Sequence, residues 1–315
     1  MKKLSVWLAL AGWLTLSAAH ATTITEKFAA NPLLNGWQIF GDTNLFQWDS
    51  TNQDLDVTWD SSQTNSYYYY PLGQTLTTND SFCVLFDLQL KDATVSDYGS
   101  ELSVGLLNFS DATNVNFSRT DATLPNVFEF DYFPADDYGD PPSIDASLVD
   151  TATNFYFVYD NQPLNPGVTY HVLLLHTAGT STISGEVFTN GQVMSSLPIV
   201  YAGYPVGDSG AFQLDTVAIS SYAGDGFGDS ILAHGTVANL AVATPLPVGT
   251  INAIAAGQVQ FVSDTNWLYT LEQTTNFQAW SVAAPSVPGT VTNLVLQATN
   301  LPVSQSFYRV SANLK

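Results

Sequence analysis

The stretch Val127 to Pro141 reads VFEFDYFPADDYGDP and gathers Glu129, Asp131, Asp136, Asp137 and Asp140. In an extended strand, rising about 3.4 Å per residue, Glu129 and Asp131 share one face about 7 Å apart. Two carboxylates at that spacing repel unless something neutralises them, and burying them unpaired is costly. Lys and Arg together number only 7 in the whole chain, so a bound cation is the expected neutraliser. Ca²⁺ takes about 6–8 oxygens from carboxylates and backbone carbonyls of flexible loops. The loop from Pro134 to Asp140 supplies such oxygens. A solvated acidic loop at an exposed strand end is the plainer alternative.

Paired carboxylates also cleave glycosidic bonds, about 5–5.5 Å apart in a retaining mechanism. The strand pattern ExDxxE of laminarinase-type glycosidases is met at Glu129 and Asp131, but its third position falls on Pro134. The shorter ExDxE spacing falls on Phe133. The other glutamates, Glu26, Glu101, Glu186 and Glu272, lie in unrelated settings. An intact site of this type is absent. An enzyme would have to draw acids from separate loops, such as Asp131 with Asp215 or Asp225. His171 and His176 are an odd number apart and face opposite sides of one strand. The glycine-rich loop Gly224 to Asp229 lacks the strand-to-helix setting of a phosphate site.

The elements that must position these residues read as strands. Short runs rich in Thr, Val, Tyr, Phe and Ile alternate between clusters of Gly, Asn, Asp and Pro. They include Ser66–Leu72, Phe82–Lys91, Val115–Arg119, Val127–Phe133, Phe155–Tyr159 and Thr169–His176. Outside the N-terminus no window carries a convincing 3.6-residue period. The expected class is all-β, a two-sheet antiparallel jelly-roll sandwich followed by a small C-terminal β module. In the run Tyr67-Tyr68-Tyr69-Tyr70, alternate rings should serve the core and the opposite face. Cys83, the single cysteine, falls on the strand face opposite Phe82, Val84 and Phe86 and reads as packing.

The N-terminus has a positive end, an apolar run Leu4 to Leu16 and the small residues Ala19 and Ala21, which describe a secretory signal over residues 1–21. The run is shorter than the ~18 residues a membrane span needs. The expected product is therefore secreted, without membrane insertion. A net charge of −21 with so few basic residues excludes a nucleic-acid groove. The sandwich is expected over residues 22–243, a Pro-rich linker over 244–250 and the small module over 251–315, with Trp280 and Tyr308 in its core.

Several segments carry a resemblance. Thr169 to Leu175, followed by Gly185 to Gln192 with its Asn190-Gly191 turn, resembles the hairpin of laminin-G-like and related concanavalin A-like sandwiches. Phe212 to Tyr222 with Ile231 to Gly235, and the opening Pro32 to Trp37, look like a secreted module of planctomycete and verrucomicrobial bacteria. The order Glu129, Asp131, Phe133, Pro134, Gly139-Asp140-Pro141 resembles the metal hairpin of legume lectins. That resemblance implies Glu129, Asp131 and Asp140 as ligands and Phe133 through its carbonyl. The family's loop Asn falls at Ala135 and its His at Asp145, so Asp137 or Asp136 would have to stand in and a lone Ca²⁺ is favoured over a metal pair. The function implied is non-catalytic binding of carbohydrate or a surface glycan. A glycoside hydrolase and a structural protein with protein partners are the other readings.

Overall fold

The computed structural model describes residues 23–96, 102–119, 125–135, 139, 141–201, 210–224, 230–244, 252–255, 257–263, 267–275, 281–290, 293–299 and 307–314. The secretory signal expected at 1–21, most of the expected linker, and Asp136, Asp137, Asp140 and Asp225 lie outside them. The chain forms two compact units, Thr22–Pro245 and Leu246–Lys315.

In the larger unit the strands are β1 (Thr23–Glu26), β2 (Gln38–Phe40), β3 (Phe46–Asp49), β4 (Asp54–Asp60) and β5 (Ser66–Leu76). There follow β6 (Phe82–Ser96), β7 (Leu102–Leu107), β8 (Val127–Phe133), β9 (Ser143–Val149) and β10 (Phe155–Asp160). The last are β11 (Thr169–His176), β12 (Thr182–Thr189), β13 (Gln192–Val200), β14 (Leu214–Ser221) and β15 (Ser230–Ala243). They build an antiparallel two-sheet sandwich. The eight-stranded sheet runs β13-β12-β11-β6-β15-β4-β3, with β1 beside β15, and the seven-stranded sheet runs β10-β9-β8-β7-β14-β5-β2. Among the described residues no helix is long and apolar enough to cross a membrane.

Period-two alternation explains the packing. Phe82, Val84, Phe86, Leu88 and Leu90 of β6 meet Phe128, Phe130 and Tyr132 of β8 in the core between the sheets. Cys83 is buried on the opposite face, and burial pushes its thiol up to about 11, so it stays protonated and inert. Tyr68 enters the main core, whereas Tyr67 and Tyr69 join a second apolar cluster on the outer face of the seven-stranded sheet. Asn190 and Gly191, at φ 50° and 72°, make the left-handed turn between β12 and β13 that the Asn-Gly pair demands.

One sequence expectation fails for a physical reason. Residues 115–119 are not a strand, because Asn side chains capture the local backbone. Asn108 Oδ1 accepts from the Asp111 amide at the start of a four-residue helix, α1 (Phe109–Ala112), and Asn114 Oδ1 accepts from the Asn116 amide. Pro198 of β13 is tolerated because β13 lies at the edge of its sheet.

His176 of β11 is fully buried, with Nδ1 2.7 Å from the Asp80 carbonyl and Nε2 2.9 Å from the Tyr201 hydroxyl. Burial holds its imidazole below the usual value. The unfolded chain therefore binds the proton first as pH falls through about 6.5, so stability is present above that pH and declines below it. Denaturant midpoints at pH 7.5 and 5.5 are expected to show this loss, and to show less of it in His176→Gln.

The smaller unit contains β16 (Asn252–Ala255), β17 (Gln258–Val262), β18 (Trp267–Thr274), β19 (Ser281–Pro288), β20 (Asn293–Gln297) and β21 (Phe307–Leu314). They form two three-stranded sheets, β16-β17-β20 and β19-β18-β21, around Val259, Phe261, Tyr269, Leu271 and Leu296. Tyr308 packs against this core; Trp280 lies outside the described residues.

Candidate functional site

The outer face of the seven-stranded sheet carries the acidic pair. Cross-strand register sets Ser220, Ser103, Asp131, Asp145 and Tyr159 in one row. Ala218, Gly105, Glu129, Ser147 and Phe157 form the next, and Thr216, Leu107, Val127, Val149 and Phe155 the third. Gly105 is required there: an added Cβ would meet the Phe128 carbonyl oxygen at 2.3 Å and Glu129 Cα at 2.6 Å. Its absence lets the Glu129 side chain cross β7.

The segment 108–119 folds back over this face. The Phe109 amide donates to Asp215 Oδ1 at 2.9 Å, Tyr67 donates to the Ala112 carbonyl at 3.0 Å, and Asn65 donates to the Phe117 carbonyl at 3.3 Å. Ala112 and Phe117 complete the second apolar cluster with Tyr67, Tyr69, Val127 and Tyr222. The end of the segment delivers Arg119 onto the sheet.

Glu129 and Asp131 are both fully buried. Arg119 Nε donates to Glu129 Oε2 at 3.2 Å and Nη2 donates to Asp131 Oδ2 at 3.0 Å. Tyr222 and Ser220 donate to Glu129 Oε1 at 2.6 and 3.1 Å. The hydroxyls of Ser103 and Ser147 donate to the two oxygens of Asp131. Burial and the Glu129 charge raise the Tyr222 phenol well above its usual range, which fixes it as a donor. The charge expected of a bound cation at this pair is thus supplied by Arg119. Composition hid this, because a scarcity of basic residues says nothing about where the few are placed.

Among the described residues no group of three or more His, Cys, Asp or Glu is arranged to hold a metal ion. Glu129 and Asp131, saturated with donors and bridged by a guanidinium, do not fit a divalent ion between them. Phe133 is half-buried at the end of β8. Asp137 and Asp140 lie outside the described residues. Asp145, also buried, shares the outer face with Asp131.

Two surface features flank the covered centre. On β10, at one sheet edge, Phe155, Phe157 and Tyr159 are 43%, 50% and 58% exposed. Their rings are nearly parallel, at 24° with centroids 5.2 Å apart and then 20° at 6.3 Å. Arg119 Cζ lies 5.4 Å from the Phe155 ring centroid, a cation–π contact that joins this row to the buried acids. Toward the other edge an open cleft of about 490 Å³ is lined by Gln38, Tyr69, Phe109 and Asp215. There Tyr69 stacks on Phe109 at 4.2 Å and donates to Gln38. Sequence reasoning placed β10 but did not single out its rings; their i, i+2, i+4 spacing was the available signal.

No protein-family model and no curated protein sequence matches the chain. Solved structures that resemble it include several lectins and a carbohydrate esterase of the bacteriophage phi24B, the latter 9% identical with a TM-score of 0.40 over 71% of this chain and 99% of that one. Lectin II from Ulex europaeus is 17% identical with a TM-score of 0.46, over 72% of this chain and 99% of that one. A peanut lectin bound to a 9mer peptide is 14% identical with a TM-score of 0.41, over 70% and 99%. The exoplasmic/lumenal domain of VIP36, in a Ca²⁺/Man3GlcNAc-bound form, is 9% identical with a TM-score of 0.38, over 68% and 86%.

Proposed function

We propose that the protein is exported and that its larger unit binds carbohydrate without cleaving it, on the outer face of the seven-stranded sheet. The row of Phe155, Phe157 and Tyr159 carries this reading. Grouped, exposed rings on a sheet edge mark a contact surface. Aromatic faces suit the C–H faces of a pyranose while its hydroxyls stay hydrated. A net charge of −21 disfavours anionic polymers and points to neutral glycans. Asp131, buried and engaged by three donors, is withdrawn from any reaction with substrate, which supports binding over hydrolysis. Calcium, implied by the hairpin resemblance, would have to rest on Asp137, Asp140 and the Phe133 carbonyl rather than on Glu129 and Asp131. Binding through the rings of Phe155, Phe157 and Tyr159 calls on no ion and is expected to persist in chelator.

The full chain is expected to be retained by neutral polysaccharides or on a glycan array, equally in Ca²⁺ and in EDTA. Retention by no glycan would sink the proposal, and release of reducing sugars would overturn its non-catalytic part. The position of β10 at a sheet edge favours a second reading, a protein partner joined by strand addition. A protein captured in pull-downs with no glycan bound would select it.

A further inference from the structure

Independently of carbohydrate binding, we infer that Arg119 is the built-in cation of this face, doing at Glu129 and Asp131 what a bound divalent ion would otherwise do. Each of the four carboxylate oxygens already receives a donor. Glu129 Oε1 accepts from Tyr222 and Ser220, Glu129 Oε2 from Arg119, Asp131 Oδ1 from Ser103, and Asp131 Oδ2 from Arg119 and Ser147. A hard cation needs about 6–8 oxygen lone pairs. To enter, it would have to expel the guanidinium and turn the hydroxyls round.

Arg119 is itself buried, at 6% exposure, and its planar fork reaches both acids and Ser147 Oγ at once. Its position is set from elsewhere. The segment that carries it is pinned through Phe109, Ala112 and Phe117, and the Phe155 ring packs against the guanidinium. The fold thus brings the positive charge to the acids without an ion to gather them. Without the guanidinium, Glu129, Asp131 and the hydroxyls of Ser103 and Ser147 are left facing one another, an oxygen-rich setting that suits a divalent cation.

Thermal melts of the full chain in CaCl₂ and in EDTA test this. The wild-type midpoint is expected to be the same in both. Arg119→Ala is expected to melt on the order of 10 °C lower in EDTA and to recover part of that loss in Ca²⁺ or Mn²⁺. Arg119→Lys, which keeps charge but not the fork, should fall between the two and ignore the ion. A wild-type midpoint that rises with Ca²⁺, with the rise abolished by Asp131→Asn, overturns the inference. A rise that survives Asp131→Asn places the ion elsewhere and supports it. Arg119→Ala melting like wild type in EDTA also overturns it. Should Arg119→Ala fold in neither buffer, a Ca²⁺-dependent midpoint in Arg119→Lys overturns it and an ion-insensitive one supports it.

Discussion

Arg119→Ala is expected to destabilise the larger unit by about 3–5 kcal/mol, read as a lowered midpoint in urea with an unchanged slope. The effect is large because the substitution removes the countercharge that Arg119 supplies and leaves Glu129 and Asp131 buried. The mere pairing energy of Arg119 with the acids is not the quantity measured, since desolvation offsets most of it. A mutant cycle separates the two. Glu129→Gln with Asp131→Asn strands the guanidinium and should also be costly. Adding Arg119→Met to that pair should recover a substantial part of the loss, because the guanidinium is then no longer left buried without its two acids. Strict additivity of the three substitutions would mean that the charges are not coupled as the distances of 3.2 and 3.0 Å indicate.

The second large effect concerns the exposed rings. Phe157→Ala with Tyr159→Ala should weaken glycan binding by about 2 kcal/mol, taking about 1 kcal/mol for each ring face, or roughly 30-fold in Kd. Titration calorimetry or affinity electrophoresis would read this. Stability should stay within about 0.5 kcal/mol, since both side chains are at least half exposed. Phe155 is kept, because its ring packs on Arg119 and its loss would mix folding with binding. Unchanged affinity in the double variant would move the site away from β10, leaving the Tyr69–Phe109 cleft as the place to look.

Much of the sandwich was legible because alternation is a local signal. Phe128, Phe130 and Tyr132 declare one face of β8, and Glu129 and Asp131 the other, whatever the rest of the chain does. The outward side was harder. Solvent was the default for that face, yet 108–119 covers it, and nothing local to Val115 to Arg119 says so. In a strand Val115, Phe117 and Arg119 would share one face, yet Val115 is exposed while Phe117 and Arg119 are buried; the difference lies in Asn108 and Asn114 bonding their own backbone. Arg119 stands only ten residues before Glu129 in the chain. Their meeting depends on a return path across β7 and β14, which spacing alone does not encode. The acids were thus found and their countercharge was not.

That covering segment also sets how the sheet moves. With a main core on one side and a second apolar cluster on the other, the middle strands β7, β8 and β14 are shielded on both faces, whereas β10 ends its sheet and pairs there with β9. Amides of the middle strands should exchange with solvent only through global unfolding, and those along β10 through local opening. The exposed rings stand on this more yielding margin, moored to the slow-exchanging centre by the contact between Phe155 and Arg119.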